Sequence, residues 1–263
     1  MRQNHDREVR FKDADWFDVF RERSIVLGGV GGIGSWLSLF LARANPKNLS
    51  MFDDDNVDIG NLGGQFFANS QIGEHKVLAA QQAIEGFTDM GTGKTIMNLR
   101  YEKGGLSDVP LRDLGAVFVG FDNMKARAEM FYDWEDICDR LFPRENSIFI
   151  DGRMLAEGYQ IFAIGQHDRD ARILYKEIFL KNDSEIEDLP CTLRATSHAA
   201  ASLAANMMGI YTNHLSNIVL GDNIREVPFF YDFDIGLMNQ SVKFVKDFIE
   251  PESITEEKHA HSQ

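Results

Sequence analysis

The sequence predicts an α/β fold with a doubly wound sheet, mainly parallel, and antiparallel strands in its C-terminal half. Three observations carry this. As far as Gly152, short apolar runs alternate with stretches of helical periodicity, which is the order of a parallel sheet covered on both faces. The first run leads straight into the glycine turn Gly28-Gly29-Val30-Gly31-Gly32-Ile33-Gly34. Beyond Gly152 the alternation stops and apolar runs follow one another directly, as antiparallel strands do.

Each element follows from its local pattern. Ser24 to Leu27 reads as a buried strand. Gly32 to Ala44 carries Ile33, Trp36, Leu37, Phe40 and Leu41 at helical spacing and stops at Asn45-Pro46. Leu49 to Phe52 is the second strand, and Lys76 to Ile84 is helical. Ile96 to Tyr101 and Ala116 to Gly120 are strands, Asn123 to Leu141 a long amphipathic helix, and Ile148 to Ile150 another buried strand. Gln160 to Gly165 and Arg172 to Leu180 read as strands, and Thr196 to Leu215 as an alanine-rich helix with dimer contact as one use of its surface. Phe229 to Phe233 and Ser241 to Val245 pair as a hairpin around Gly236-Leu237-Met238. Lys181 to Asp188 reads as a mobile loop. Residues 1–263 are expected to form one domain with a core of about 24–245 and a disordered tail over 250–263.

Composition narrows the function classes. Hydrophobic residues make up 44% of the chain, enough for a sizeable core, and the net charge is -14. That acidity repels phosphate backbones and argues against a nucleic-acid partner. Cys138 and Cys191 are the two cysteines, too few for a disulfide framework or a four-cysteine zinc site, and typical of a reducing compartment. The first residues are polar, and the longest apolar run, Trp36 to Ala42, is too short to cross a bilayer. A cytoplasmic protein with no membrane partner is the expectation.

The glycine turn implies bound phosphate. Gly29, Gly31 and Gly34 form the Rossmann-like pattern G-x-G-x-x-G, with Gly32 inside it. Missing side chains let the backbone approach phosphate oxygens, and the helix N-terminus favours the anion. Asp53, at the end of the second strand, stands where a carboxylate accepts ribose hydroxyls. Asp55, Asn61, Gln65 and Lys76 crowd the next loop and helix start, and Asp122 follows the strand ending at Gly120. Such a set suits a metal-assisted reaction on a triphosphate, because lysine neutralises phosphate, a carboxylate holds magnesium and amides fix the phosphate chain. Hydride transfer needs none of them, so a nicotinamide-dependent oxidoreductase is the weaker alternative.

The run Asp53-x-Asp55-x-Val57-x-x-x-Asn61-Leu62-x-x-Gln65, then Gly73-x-x-Lys76-Val77, then Asp122-Asn123 with Arg127, resembles the ThiF/MoeB/HesA family. Tyr231-Asp232 and Val242-Lys243-Phe244 resemble its closing hairpin. The resemblance implies ATP-dependent adenylation of the C-terminal carboxylate of a small ubiquitin-like or sulfur-carrier protein ending in Gly-Gly, in a homodimer. It implies that Gly29, Gly31, Gly32 and Gly34 hold the phosphates, that Asp53 and Asp55 belong to the nucleotide site, and that Asn61, Gln65 and Lys76 contact the phosphate chain. It also implies Mg2+ on Asp122. Cys191, in Pro190-Cys191-Thr192-Leu193, resembles the family's thioester cysteine, whereas Cys138 reads as packing. Two departures stand out. Gly64 occupies the place of the family's phosphate-clamping arginine, with Arg153, beside the less well matched Arg10, Arg21 and Arg23, a candidate to compensate; and the paired Cys-x-x-Cys zinc ligands are missing, so no structural zinc is expected. A nucleotide- or carrier-binding module weakened by Gly64 is therefore the main alternative to an active enzyme.

Overall fold

A computed structural model describes residues 11, 13–87, 95–98, 101–109, 112–140, 146–155, 157–180, 197–221 and 226–249. Among them one sheet runs in the order β3-β2-β1-β4-β5-β6-β7-β8. Its strands are β1 (Ser24–Gly28), β2 (Asn48–Phe52), β3 (Thr95–Asn98), β4 (Leu114–Val119), β5 (Ile148–Met154), β6 (Gly158–Gly165), β7 (Phe230–Asp234) and β8 (Asn239–Lys243). The first five are parallel; β5–β6, β6–β7 and β7–β8 pair antiparallel. The helices are α1 (Phe17–Arg21), α2 (Gly32–Arg43), α3 (Lys76–Phe87), α4 (Met124–Arg140), α5 (Arg169–Leu174), α6 (Ser197–Leu220) and α7 (Lys246–Ile249).

Alternation along each strand decides which layer it feeds. Ile25, Leu27, Ala116, Phe118, Ile148 and Ile150 face a core completed by α1, α2, α3 and α6. Val26, Val117, Val119 and Phe149 face the opposite core, built by α4, α5 and their flanks. Every residue of β1 and β4 is buried, which is why both read as unbroken apolar runs. Helix α2 ends as its sequence requires: Asn45 takes φ 59, a left-handed stop that Asn tolerates, and Pro46 cannot continue the helix.

One expectation is corrected. Arg172 to Leu180 is helical, not a strand: α5 continues into a single π turn over Tyr175–Phe179. Asp168 starts it by accepting the Ala171 N–H at 2.9 Å, and Ala171, Leu174 and Tyr175 bury one helical face. Its β-branched and aromatic content mimics a strand; its cap and its period do not. Helix α6 buries Leu203, Ala204, Met207 and Tyr211 in the core of its own chain. The loop Lys181 to Asp188 and the tail from Glu250 lie outside the described residues.

Candidate nucleotide site

The strand order reverses between β1 and β4, so a crevice opens at the carboxyl ends of β1, β2 and β4. Three segments meet there: the glycine turn after β1, Asp53 to Asp55 after β2, and Phe121 to Asn123 after β4. The glycines divide by role. A Cβ on Gly34 would stand 1.8 Å from the Gly29 carbonyl oxygen, and Gly29, at φ +84, would strike the Gly120–Phe121 backbone at 2.7 Å. Those two let the turn close on itself. Gly31 and Gly32 face open space: a Cβ on Gly31 would meet only Gln65 Nε2, at 3.9 Å, and one on Gly32 would meet nothing within 4 Å.

Asp53 ties the second segment to the first. Its Oδ2 accepts the Val30 N–H at 2.7 Å and its Oδ1 the Asp55 N–H at 3.0 Å. Burial pushes its carboxyl above the usual range, although those two N–H bonds and the Lys76 charge pull it back. The chain then loops outward and returns through Gly73, at φ +88, to start α3 at Lys76. There the Lys76 N–H donates to the Asp55 carbonyl at 2.9 Å, and Lys76 Nζ pairs with Asp55 Oδ2 at 2.7 Å. Lys76 is buried and Asp55 exposed, so the lysine is held rigidly while its partner can be exchanged for another anion.

The loop between them leans on α2. Trp36 Nε1 donates to the Gly64 carbonyl at 3.2 Å, and the Phe66 N–H donates to Ser35 Oγ at 2.9 Å. Asn61 sits in a short 3-10 turn, where its Oδ1 accepts the Asp58 N–H at 2.9 Å. Gln65 Oε1 is buried with no hydrogen-bond partner among the described residues. That oxygen is an acceptor, whereas the Nε2 donor of the same amide is the atom nearest the open glycine turn, 3.9 Å from a Cβ on Gly31. Gly64 has no unusual φ, at −126, and no heavy atom lies within 4 Å of where its Cβ would be. An arginine would fit there; this chain lacks it without a steric reason.

Asp122 is exposed at the crevice edge, its Oδ1 accepting Asn123 Nδ2 at 3.3 Å. Asn123 caps α4 by accepting the Ala126 N–H at 2.8 Å. Phe121 and Asn123, on either side of Asp122, line a cleft of about 370 Å³ together with Asp53, Tyr101 and Lys125. Carboxylate oxygens of Asp53, Asp54 and Asp55 lie within 4.8 Å of one another. The residues present fit a triphosphate with a hard divalent cation: open glycines, one fixed ammonium, the Gln65 Nε2 donor and carboxylate oxygens.

Arg153 lies elsewhere than at the phosphate turn. Its Nε pairs with Asp151 at 2.7 Å, its other nitrogens reach the Phe179 carbonyl at 3.1 Å and the Tyr175 hydroxyl at 3.2 Å, and its plane lies 4.6 Å from the Phe162 ring centre. All three nitrogens are engaged inward. Cys191 lies outside the described residues. Cys138 is buried against the α4 core, and burial pushes its thiol up to about 12, so it is inert. The residues that sequence reasoning missed are Tyr101 and Lys125, which only the fold brings to the cleft, and Asp151. A signal for the last existed: a lone carboxylate ends the apolar run Ile148-Phe149-Ile150.

Known proteins resemble this chain in sequence and in fold. The ThiF family pattern matches residues 5–247. The ubiquitin-like modifier-activating enzyme 5 of Dictyostelium discoideum is 32% identical over 123 residues, 42% of this chain but 32% of that protein. The Caenorhabditis elegans enzyme of the same name is 32% identical over 124 residues, 42% of this chain and 29% of its own length. The matched region thus spans about a third of those relatives. Among solved structures, E. coli MccB with AMPCPP and MccA superposes with a TM-score of 0.67 at 14% identity, over 92% of this chain and 72% of that one. PaaA gives 0.59 at 13% identity, over 88% and 66%. Identity that low speaks to the fold alone, and no described helix is long and apolar enough to cross a membrane. With its family pattern matched over nearly its whole length, and with the parallel sheet and glycine turn in place, the chain belongs to the ThiF family.

Proposed function

We propose that this chain, as a single adenylation domain, adenylates the C-terminal carboxylate of a small ubiquitin-like or sulfur-carrier protein. A carrier carboxylate oxygen attacks the α-phosphorus of ATP, the bond to the leaving phosphate breaks, and pyrophosphate departs to leave an acyl-adenylate. The observation that carries the reading is the convergence of Gly31, Gly32, the Gln65 Nε2 donor and the fixed Lys76 ammonium on one crevice. Asp53 orients the ribose through a carboxylate whose two oxygens are each held by one backbone N–H. Lys76, released from Asp55, neutralises phosphate, and Asn61 contacts the chain of phosphates. Asp122 holds Mg2+, which supplies further charge neutralisation. Catalysis of the adenylation step is positioning and electrostatics rather than covalent chemistry by a side chain.

Support from relatives is of two kinds. The names of the curated relatives describe activation of ubiquitin-like modifiers, and MccB has been solved with ATP and with MccA. A carrier ending in Gly-Gly, a homodimer, a cytoplasmic setting and a thioester on Cys191 complete the proposal. Gly64 favours a second reading, a module that binds nucleotide and carrier but turns over slowly.

ATP–pyrophosphate exchange separates the two. Exchange that requires both a small Gly-Gly-ending carrier and Lys76 supports the enzyme, and exchange unchanged in Lys76→Ala and Asp122→Asn would reject it. ATP binding without exchange, together with a gain of about tenfold or more in exchange from Gly64→Arg, identifies the weakened module. A thiol-sensitive carrier adduct that persists in Cys191→Ser removes that cysteine from the mechanism.

A further inference from the structure

Asp151 is a carboxylate with no exposed surface, and three side-chain hydrogen bonds converge on it. Its Oδ1 accepts from Arg127, and its Oδ2 accepts from Arg153 Nε at 2.7 Å and from the Tyr175 hydroxyl at 2.8 Å. Arg127 is itself buried. Its fork reaches past Asp151 to the Gly152 carbonyl at 3.1 Å and, with the other terminal nitrogen, to the carbonyl of Phe121. Phe121 immediately precedes Asp122. The cluster also sits in register with the site: Asp151 pairs with Val119 on β4, which pairs with Gly28 on β1.

We propose that Asp151 is a positioning residue for the metal at Asp122. It acts through Arg127, whose guanidinium fixes the Phe121 carbonyl and so sets the direction in which the Asp122–Asn123 turn leaves β4. The inference rests on the adenylation reading only for the role of Asp122. Three features carry it. Arg127 is the side chain that grips the turn from inside the protein, while the Asn123 cap grips it from outside. A guanidinium stays charged, so without Asp151 the two arginines would face each other unneutralised and the fork would leave its carbonyl. And a buried ion cluster adds little stability over an apolar replacement of the same shape, whereas this one terminates on backbone carbonyls at the mouth of the site.

Outer partners of metal ligands shift metal affinity by about 10–100-fold when removed. The test is Mn2+ binding to the protein–ATP complex, read by electron paramagnetic resonance, beside thermal unfolding of the same samples. Asp151→Asn should raise the Mn2+ half-saturation about tenfold, and should add no further rise to that of Asp122→Asn. Arg127→Lys keeps the charge but loses the fork; it should give the same shift, and it carries the test if Asp151→Asn does not fold. A lowered melting temperature with unchanged Mn2+ half-saturation in both variants overturns the proposal and leaves Asp151 a structural ion. Wild-type protein that binds Mn2+ with ATP yet shows no pyrophosphate exchange with any carrier counts against adenylation and not against this positioning.

Discussion

Asp151 illustrates how much one buried carboxylate can decide. Burial opposes its ionisation, but Arg127 and Arg153 outweigh that and hold its carboxyl below the usual carboxylate range. The sign of the consequence follows. A folded-state value below the unfolded one, about 3.9, gives stability that is complete above that value and is lost as the pH falls through the folded one. Asp151→Asn should therefore destabilise the protein by about 3–5 kcal/mol at neutral pH, leaving Arg127 and Arg153 without their counter-charge. It should also flatten the loss of stability at acid pH. Urea unfolding at pH 7 and pH 3 checks this, and an acid arm of unchanged slope in the variant would assign it to other carboxylates. At this scale the sequence was partly legible. The sequence put Asp53 directly after β2 and Lys76 at the start of α3, but the Asp55–Lys76 pair and the inward use of Arg153 depend on how loops fold back.

The element that decides the site is the turn between β1 and α2. Its glycines look alike in sequence and differ in the fold. Gly34→Ala would press a methyl group into the Gly29 carbonyl at 1.8 Å; with backbone on both sides neither can yield, and a loss of about 3 kcal/mol or more is expected. Gly32→Ala meets nothing within 4 Å and gains helix propensity in the first turn of α2. It should melt at or above the wild-type temperature while binding ATP more weakly, because its methyl group projects into the open side of the turn. Melting curves and calorimetric titration of both variants read this out; equal losses of stability would mean that the two glycines share one role. The α5 segment shows the opposite case of legibility. Ile173, Tyr175, Ile178 and Phe179 suggest a strand by composition, yet the Asp168 cap and the packing of Leu174 and Tyr175 make it helical. Local propensity is weak there and tertiary burial overrides it.

For the whole molecule, the expectation is that ligand binding is coupled to stability. ATP with Mg2+ at about a hundred times its dissociation constant should stabilise the fold by about 2.7 kcal/mol, and NAD at the same concentration should not. Scanning calorimetry with each nucleotide tests it, and a larger shift with NAD would favour the oxidoreductase reading. The net charge of -14 makes a carrier with a basic docking face the better electrostatic match and makes its association weaken with salt.

The sequence by itself determined the parallel sheet, the glycine turn, the carboxylate after β2 and the family, because periodicity, glycine spacing and short-range polar patterns are properties of neighbouring residues. The tertiary structure alone decided which glycines close the turn and which leave it open. It also paired Lys76 with Asp55, turned Arg153 away from the phosphate turn, and gathered Arg127, Arg153 and Tyr175 around Asp151. Those outcomes depend on residues from different strands and helices meeting at one edge of the sheet, at distances no spacing along the chain encodes.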